Sequence, residues 1–342
     1  MTGNAEQVRP LPPCVVITGP TAAGKTEFAL SLAERFAVRL ISVDSVQVYR
    51  GLDVGSAKPD RQTLARFPHA LVDIRDPGEP YTAADFARDA EAEIRSARAA
   101  GRIPVVVGGT ALYLRALRYG LDSMPRADPA YRNRLAARGK REGWPALHAE
   151  LADLDPASGR AIRPQDPQRI QRALELHHVT KQRPSELRSG RGRDRMRSSL
   201  MIVITPANRA ALHRRIALRW EGMLERGLVE EVQRVAEAEG WNLDLPALRA
   251  VGYRQTLAYL SGSISRSELP ARGAAATRQL AKRQLTAFRQ WAGGLWYDPL
   301  NQSTNDRIIR RVGRFIGDAD CAGPDSGVRQ IPAVAALIPD PE

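Results

Sequence analysis

Apolar positions change their period along this chain, and each change marks a strand giving way to a helix. CVVIT at 14–18, LISV at 40–43 and PVVVGG at 104–109 are short continuous apolar runs, with ALVDI at 70–74 a weaker case. Runs of this length predict strands covered on both faces. Between them the period lengthens. Phe28, Ala29, Leu32 and Ala33 recur at helical spacing, and 81–101 reads as an amphipathic helix stopping at Gly101. Strand and helix alternate, which predicts an α/β fold: a parallel sheet with right-handed crossovers over roughly the first 120 residues.

From about Asp128 the helical period takes over and strand signal almost disappears, with Asp–Pro pairs opening the segments as N-cap and first helical residue. The stretch 182–197 is charged, contains glycine and reads as a mobile linker. SLMIVIT at 199–205 restores a buried strand, and helical patterns follow over 209–227, 228–240 and 268–293. This order predicts a flexible N-terminus at 1–12, an α/β core at 13–124 and 199–317, a mostly helical insertion at 125–198, and a disordered tail at 318–342.

Composition narrows the function classes. With 342 residues and 43% hydrophobic positions the chain can bury one large core or two smaller ones, so disorder throughout is excluded. The two cysteines, Cys14 and Cys321, are too few and too distant for a disulfide scaffold or a Cys-based zinc site, and predict a reducing, cytoplasmic setting. Neither a signal peptide nor a membrane span is expected. Lys and Arg number 51 against 38 Asp and Glu, a net charge of +13. Clustered cations favour a polyanionic partner. Only five of them are Lys, so codon bias in a GC-rich genome is the competing account.

The sharpest local signal is GPTAAGKT at 19–26, which satisfies G-x-x-x-x-G-K-[ST] between a predicted strand and a predicted helix. Backbone amides and a helix N-terminus bind phosphate oxygens, Lys25 neutralises them and the Thr26 hydroxyl can ligate Mg²⁺. The motif specifies a di- or triphosphate site and leaves the reaction open. Asp44 and Ser45 fall at the carboxyl end of a strand, where open α/β sheets place ligands. A carboxylate there can hold Mg²⁺ through water, act as a general base, or cap a helix. GGT at 108–110 gives a second glycine loop at the same edge, and alone it is an ordinary strand-to-helix turn. Asp73 and Asp76 read as structural caps. Arg219 is either a ligand contact or part of a solvated basic face shared with Arg214 and Arg215.

GPTAAGKT, SVDSVQVYRGLDVGSAKP, LVDIRDPGEPYTAADFARDA, GRIPVVVGGTALYLRAL, DPQRIQRALEL, RAVGYRQ and ATRQLAKRQLTAFRQW, in that order and spacing from about Pro13 to Trp296, resemble the bacterial tRNA dimethylallyltransferases. The resemblance implies a P-loop NTPase-like core and transfer of a dimethylallyl group from dimethylallyl diphosphate to the exocyclic amine of the adenosine 3′ of the anticodon in tRNA. It implies that Gly19, Pro20, Thr21, Ala22, Ala23, Gly24, Lys25 and Thr26 hold the diphosphate with Mg²⁺. Asp44 matches the family's general base, Thr110 the residue bonded to the bridging oxygen, and Arg219 a diphosphate contact from the opposite side.

The tRNA contacts implied by the resemblance start with Asp44, Ser45, Val46, Gln47 and Thr110 around a flipped adenine, whose edge Gln47 would read bidentately. Arg132 and the helix stretch Gln168, Arg169, Ile170, Gln171 and Arg172 follow, in an insertion taken as able to swing over the anticodon stem. Next come Arg249, Ala250, Val251, Gly252, Tyr253 and Arg254, with Tyr253 as a stacking ring. The last stretch is Lys282, Arg283, Gln284, Leu285, Thr286, Ala287, Phe288 and Arg289. Residues 269–297 hold five cations and no acid, interleaved with Phe288 and Trp291, as expected of a nucleic-acid face. Eukaryotic members add a zinc finger, which one Cys and no His after residue 320 do not match. A monomer without membrane attachment is expected. A P-loop small-molecule kinase, a prenyltransferase acting on free adenine nucleotides and a non-catalytic RNA-binding protein are the competing readings.

Overall fold

Strands β1 (Val15–Thr18), β2 (Val38–Val43), β3 (His69–Ala70), β4 (Ile103–Gly108), β5 (Leu200–Ile204) and β6 (Leu295–Tyr297) form, among the described residues, one six-stranded sheet in the order β3-β2-β4-β1-β5-β6. Every pairing is parallel, with Val16 opposite Val106 and Met201 on either side. The structure, a computed structural model, describes residues 9–121, 124–125, 127–187, 192–241, 245–291 and 293–321. The expectations for residues 1–8, for 188–191 of the linker and for 322–342 lie outside the described residues.

The continuous apolar runs are explained by helices on both faces. Val16, Ile41, Val43, Val106, Met201 and Val203 point into one buried cluster, while Val15, Ile17, Leu40, Val105, Val107 and Ile202 point into the other. The first face is covered by α3 (Ala83–Ala99), α4 (Ala111–Tyr119), α9 (Arg209–Glu225), α10 (Leu228–Ala238), α11 (Tyr253–Leu260) and α12 (Leu269–Arg289). The second is covered by α1 (Lys25–Ala33) and α13 (Gln302–Cys321). Among the described residues no helix is long and apolar enough to cross a membrane.

The residues divide into two compact units, Met1–Arg118 with Asp194–Glu342, and Tyr119–Arg193. The second contains α5 (Pro129–Glu142), α6 (Trp144–Leu154), α7 (Pro156–Ala161) and α8 (Pro167–Thr180) around Leu135, Leu147, Leu151, Ile170 and Leu174. The Asp–Pro openings at Asp128 and Asp166 behave as the sequence predicts, their side chains accepting from the amides of Tyr131 and Arg169, and Asp155 opens the unanticipated α7 in the same way, accepting from the Ser158 amide. Each such cap contributes about 1 kcal/mol.

The structure departs from the sequence pattern in five further places. ALVDI shrinks to the two-residue β3, because Leu71 (φ 64°) and Asp73 (φ 55°) turn the chain through left-handed backbone. The short α2 (Arg61–Arg66), β6 and α13 were not anticipated, and α13 carries four residues of the expected tail. The expected mobile linker is anchored where it is described. Ser185 bonds Asp155 through both its amide and its hydroxyl, at 2.8 Å each, and Asp194 pairs with Arg118.

Candidate active site

All strands of a parallel sheet end at one edge, so the loops after β1, β2 and β4 meet there without further instruction. The first is Gly19–Thr26. Its opening glycine has φ 143°, and a Cβ there would lie 2.0 Å from the Ile204 carbonyl oxygen, so no larger residue fits. Lys25 Nζ donates to the Pro20 carbonyl at 2.7 Å, and Arg215 Nε donates to that of Ala22 at 2.8 Å. Helix α1 starts at Lys25, which aims its unpaired N–H groups and positive dipole end into the loop.

The second loop places Asp44, whose Oδ1 accepts from the amides of Val46 (2.8 Å) and Gln47 (3.3 Å). In the third, the Thr110 hydroxyl accepts from the Ser45 amide at 3.2 Å, tying it to the Asp44 loop. A cavity of about 460 Å³ opens at this edge. Its walls include Thr21, Lys25, Thr26, Asp44, Ser45, Val46, Gln47, Thr110, Arg219, Arg249, Ala250, Val251, Gly252, Arg283 and Gln284.

Charge inside the cavity is shifted by confinement. Burial pushes the Asp44 carboxyl above its ordinary value, opposed by the Val46 and Gln47 amides and by the charges of Lys25 and Arg219. Burial, with repulsion from Arg219, lowers the Lys25 ammonium to about 8 against the pull of Asp44. Burial also lowers Arg219, on α9, which Asp44 partly offsets. Lys25, Arg219 and Asp44 therefore share a small volume with surplus positive charge, an arrangement that a phosphate-bearing ligand neutralises.

Several expected contacts stand elsewhere. Tyr253 is fully buried and donates to Glu231 at 2.8 Å, so its ring is not presented for stacking. Phe288 is likewise buried, edge-on to Trp291. The Gln47 amide is already engaged: its Oε1 accepts from Ser42, and its Nε2 faces the carbonyls of Ser56 (3.4 Å) and Ala57 (3.3 Å), so it braces its own loop in place of reading a base edge. Lys282, Leu285, Thr286, Ala287 and Arg289 lie along α12 beyond the cavity wall, and Arg254 follows Tyr253 in α11.

Arg132 and Gln168–Arg172 belong to the second unit. Arg132 grips the buried Glu175 with two hydrogen bonds of 2.8 and 2.9 Å; Arg172 also pairs with Glu175, and Ile170 is core. Gln171 donates to the Arg132 carbonyl, which leaves Arg169 as the exposed cation of this stretch. Asp73 and Asp76 pair with Lys58 and Arg50, a structural use.

Two residues at or beneath the site, His69 and Glu231, escaped the sequence reading, and a third, Arg215, entered it only as part of a solvated basic face. Arg215 sits four positions before Arg219, so the two share a helix face; that spacing was the available signal. His69 lines the cavity, its Nδ1 at 2.8 Å from the Phe67 carbonyl, and Glu231 holds the loop after Leu52; neither leaves a local sequence trace.

The family model described as IPP transferase matches residues 47–291. A tRNA dimethylallyltransferase from Thiobacillus denitrificans is 51% identical over 307 residues, covering 90% of this chain and 98% of that relative. The crystal structure of a full-length tRNA isopentenylpyrophosphate transferase from Bacillus halodurans is 34% identical with a TM-score of 0.66, covering 90% of this chain and 98% of that one. A eukaryotic dimethylallyltransferase crystallised while acting on tRNA reaches a TM-score of 0.72 at 25% identity, over 90% of this chain and 80% of its own. The chain belongs to the IPP transferase family.

Proposed function

We propose that this chain transfers a dimethylallyl group from dimethylallyl diphosphate to the exocyclic amine of the adenosine 3′ of the anticodon, position 37, in tRNA. The observation that carries the reading is that one cavity is walled both by Thr21, Lys25 and Thr26 of the phosphate loop and by Arg249–Gly252 and Arg283. A kinase of small molecules has no use for that second wall.

In this reading the diphosphate lies against the loop amides, Lys25 and Arg219, which attract the charge that grows on it as the C–O bond breaks. Asp44 takes the proton. An adenine amine is a poor nucleophile until it loses one, and a carboxylate whose affinity for protons is raised by burial takes it more readily than a solvated one. The nitrogen bonds to the allylic carbon, the diphosphate departs with the C–O electron pair, and Asp44 is left protonated. Thr110, at the same edge, has its hydroxyl proton free to donate to the bridging oxygen, since in its bond with Ser45 it accepts.

Among the described residues no group of three or more His, Cys, Asp or Glu is placed to hold a metal ion. The donors present, the Thr26 hydroxyl and the Asp44 carboxylate, fit a Mg²⁺ that keeps most of its waters and is held chiefly by substrate phosphates. When bound it would neutralise charge on the leaving diphosphate. A monomer acting in the cytoplasm is part of the proposal, and the buried thiol of Cys14 suits a reducing compartment.

The test is mass spectrometry of nucleosides from unmodified tRNA incubated with the protein, dimethylallyl diphosphate and Mg²⁺. An isopentenylated adenosine at position 37 is expected. Unchanged tRNA together with rapid phosphoryl transfer from ATP would overturn the reading.

A further inference from the structure

Helix α12 carries Lys282 and Arg283 on its exposed side and turns Gln284 inward. The Gln284 Oε1 accepts from the Thr21 amide at 2.9 Å, and its Nε2 donates to the Gly109 carbonyl at 2.9 Å. One planar amide thus bridges the phosphate loop and the loop bearing Thr110, across 263 and 175 positions of sequence. Only a carboxamide offers an acceptor and a donor side by side at this reach. Gly109 makes room for it: a Cβ there would lie 2.5 Å from Gln284 Nε2. The next bond in the series runs from the Ser45 amide to the Thr110 hydroxyl, one residue from Asp44.

We propose that Gln284 is a positioning residue that couples the two substrates: by joining α12 to both glycine loops, it makes tRNA held on α12 tighten the diphosphate site, and diphosphate tighten tRNA. The inference rests on the functional reading above. A nucleic-acid backbone drawn against Lys282 and Arg283 fixes α12, and with it the two loops whose separation Gln284 sets. Coupling of this kind is reciprocal, so each ligand raises the affinity of the other by the same factor.

Inorganic diphosphate with Mg²⁺, and unmodified tRNA, form a pair that cannot react, which lets the factor be measured by titrating each ligand with and without the other. The parent protein is expected to show a factor on the order of 10. Gln284→Met keeps the length of the side chain but neither hydrogen bond, and its factor is expected to fall to about 1. A purely structural role would lower both affinities and leave their coupling intact.

A factor of one in the parent, or an undiminished factor in Gln284→Met, overturns the proposal and leaves the functional reading standing. Loss of tRNA affinity in Gln284→Met with the coupling preserved makes the side chain an RNA contact, and also overturns it. A parent that binds neither ligand removes the functional reading and this inference together. Should Gln284→Met fail to fold, hydrogen exchange in the parent decides: the Thr21 amide is expected to gain protection when tRNA binds alone, and unchanged protection counts against the coupling.

Discussion

The Tyr253 hydroxyl and the Glu231 carboxylate meet at 2.8 Å beneath the loop that follows Leu52, and the same carboxylate accepts from the amides of Asp53, Val54 and Gly55. Four donors converge on one buried acid. The segment RAVGYR therefore works in two directions: Arg249–Gly252 face the cavity, while Tyr253, through Glu231, holds the loop whose Ser56 and Ala57 carbonyls face the Gln47 amide.

Removing the Tyr253 hydroxyl leaves three donors on Glu231 and no new cavity. Tyr253→Phe is expected to cost about 1 kcal/mol in denaturant unfolding, the usual net effect of deleting one hydrogen bond while its acceptor keeps other donors. Its tRNA affinity is expected to equal the parent's. A variant of full stability that binds tRNA poorly would return Tyr253 to the role of a stacking ring.

What was legible in the sequence is what local chemistry fixes. GPTAAGKT declares itself because a phosphate loop needs its glycines, lysine and hydroxyl within eight positions, and the Asp–Pro caps because capping is completed within three. Tyr253, Phe288 and Gln284 were misassigned or only half understood for the opposite reason. Aromatics and amides in a basic segment look the same whether they meet RNA or the protein, and the partners that decide, Glu231, Trp291 and Thr21, are distant in sequence. Helix α13 was a different case, since Ile308, Val312 and Phe315 already show helical spacing.

Asp44→Asn preserves the Oδ1 that accepts from Val46 and Gln47, and so keeps the loop, but it removes the proton acceptor. Single-turnover prenylation is expected to slow by about 10²- to 10⁴-fold, with tRNA binding unchanged. Because burial raises the Asp44 carboxyl, the parent's rate is expected to fall with decreasing pH earlier than an ordinary carboxylate would allow. The residual rate of Asp44→Asn should lack that acid limb. An acid limb of equal size in both proteins would place the base elsewhere.

Lys25 supplies a limb of the opposite sign. With its ammonium lowered to about 8, the free enzyme loses this positive charge as pH rises through that value, and diphosphate affinity is lost with it. Binding of inorganic diphosphate with Mg²⁺, followed by calorimetry between pH 6 and 10, is expected to weaken by up to about tenfold per pH unit on the alkaline side. The ligand's own ionisation is common to parent and Lys25→Met, so the difference between them isolates the lysine. Parallel profiles would show that Lys25 does not bind the diphosphate as a cation.

Codon bias accounts for Arg over Lys, but it does not account for 269–297 holding five cations without an acid. Lys282 is exposed on α12 and outside the cavity wall, so it can meet an RNA phosphate without touching a diphosphate bound inside. Lys282→Ala is expected to weaken tRNA binding and to reduce the slope of log affinity against log salt by about one, because one counterion fewer is released. Diphosphate titrations on the same variant without tRNA should overlay the parent's. An unchanged salt slope would mean that the basic face of α12 is solvated surface, and would move the tRNA footprint to another part of the chain.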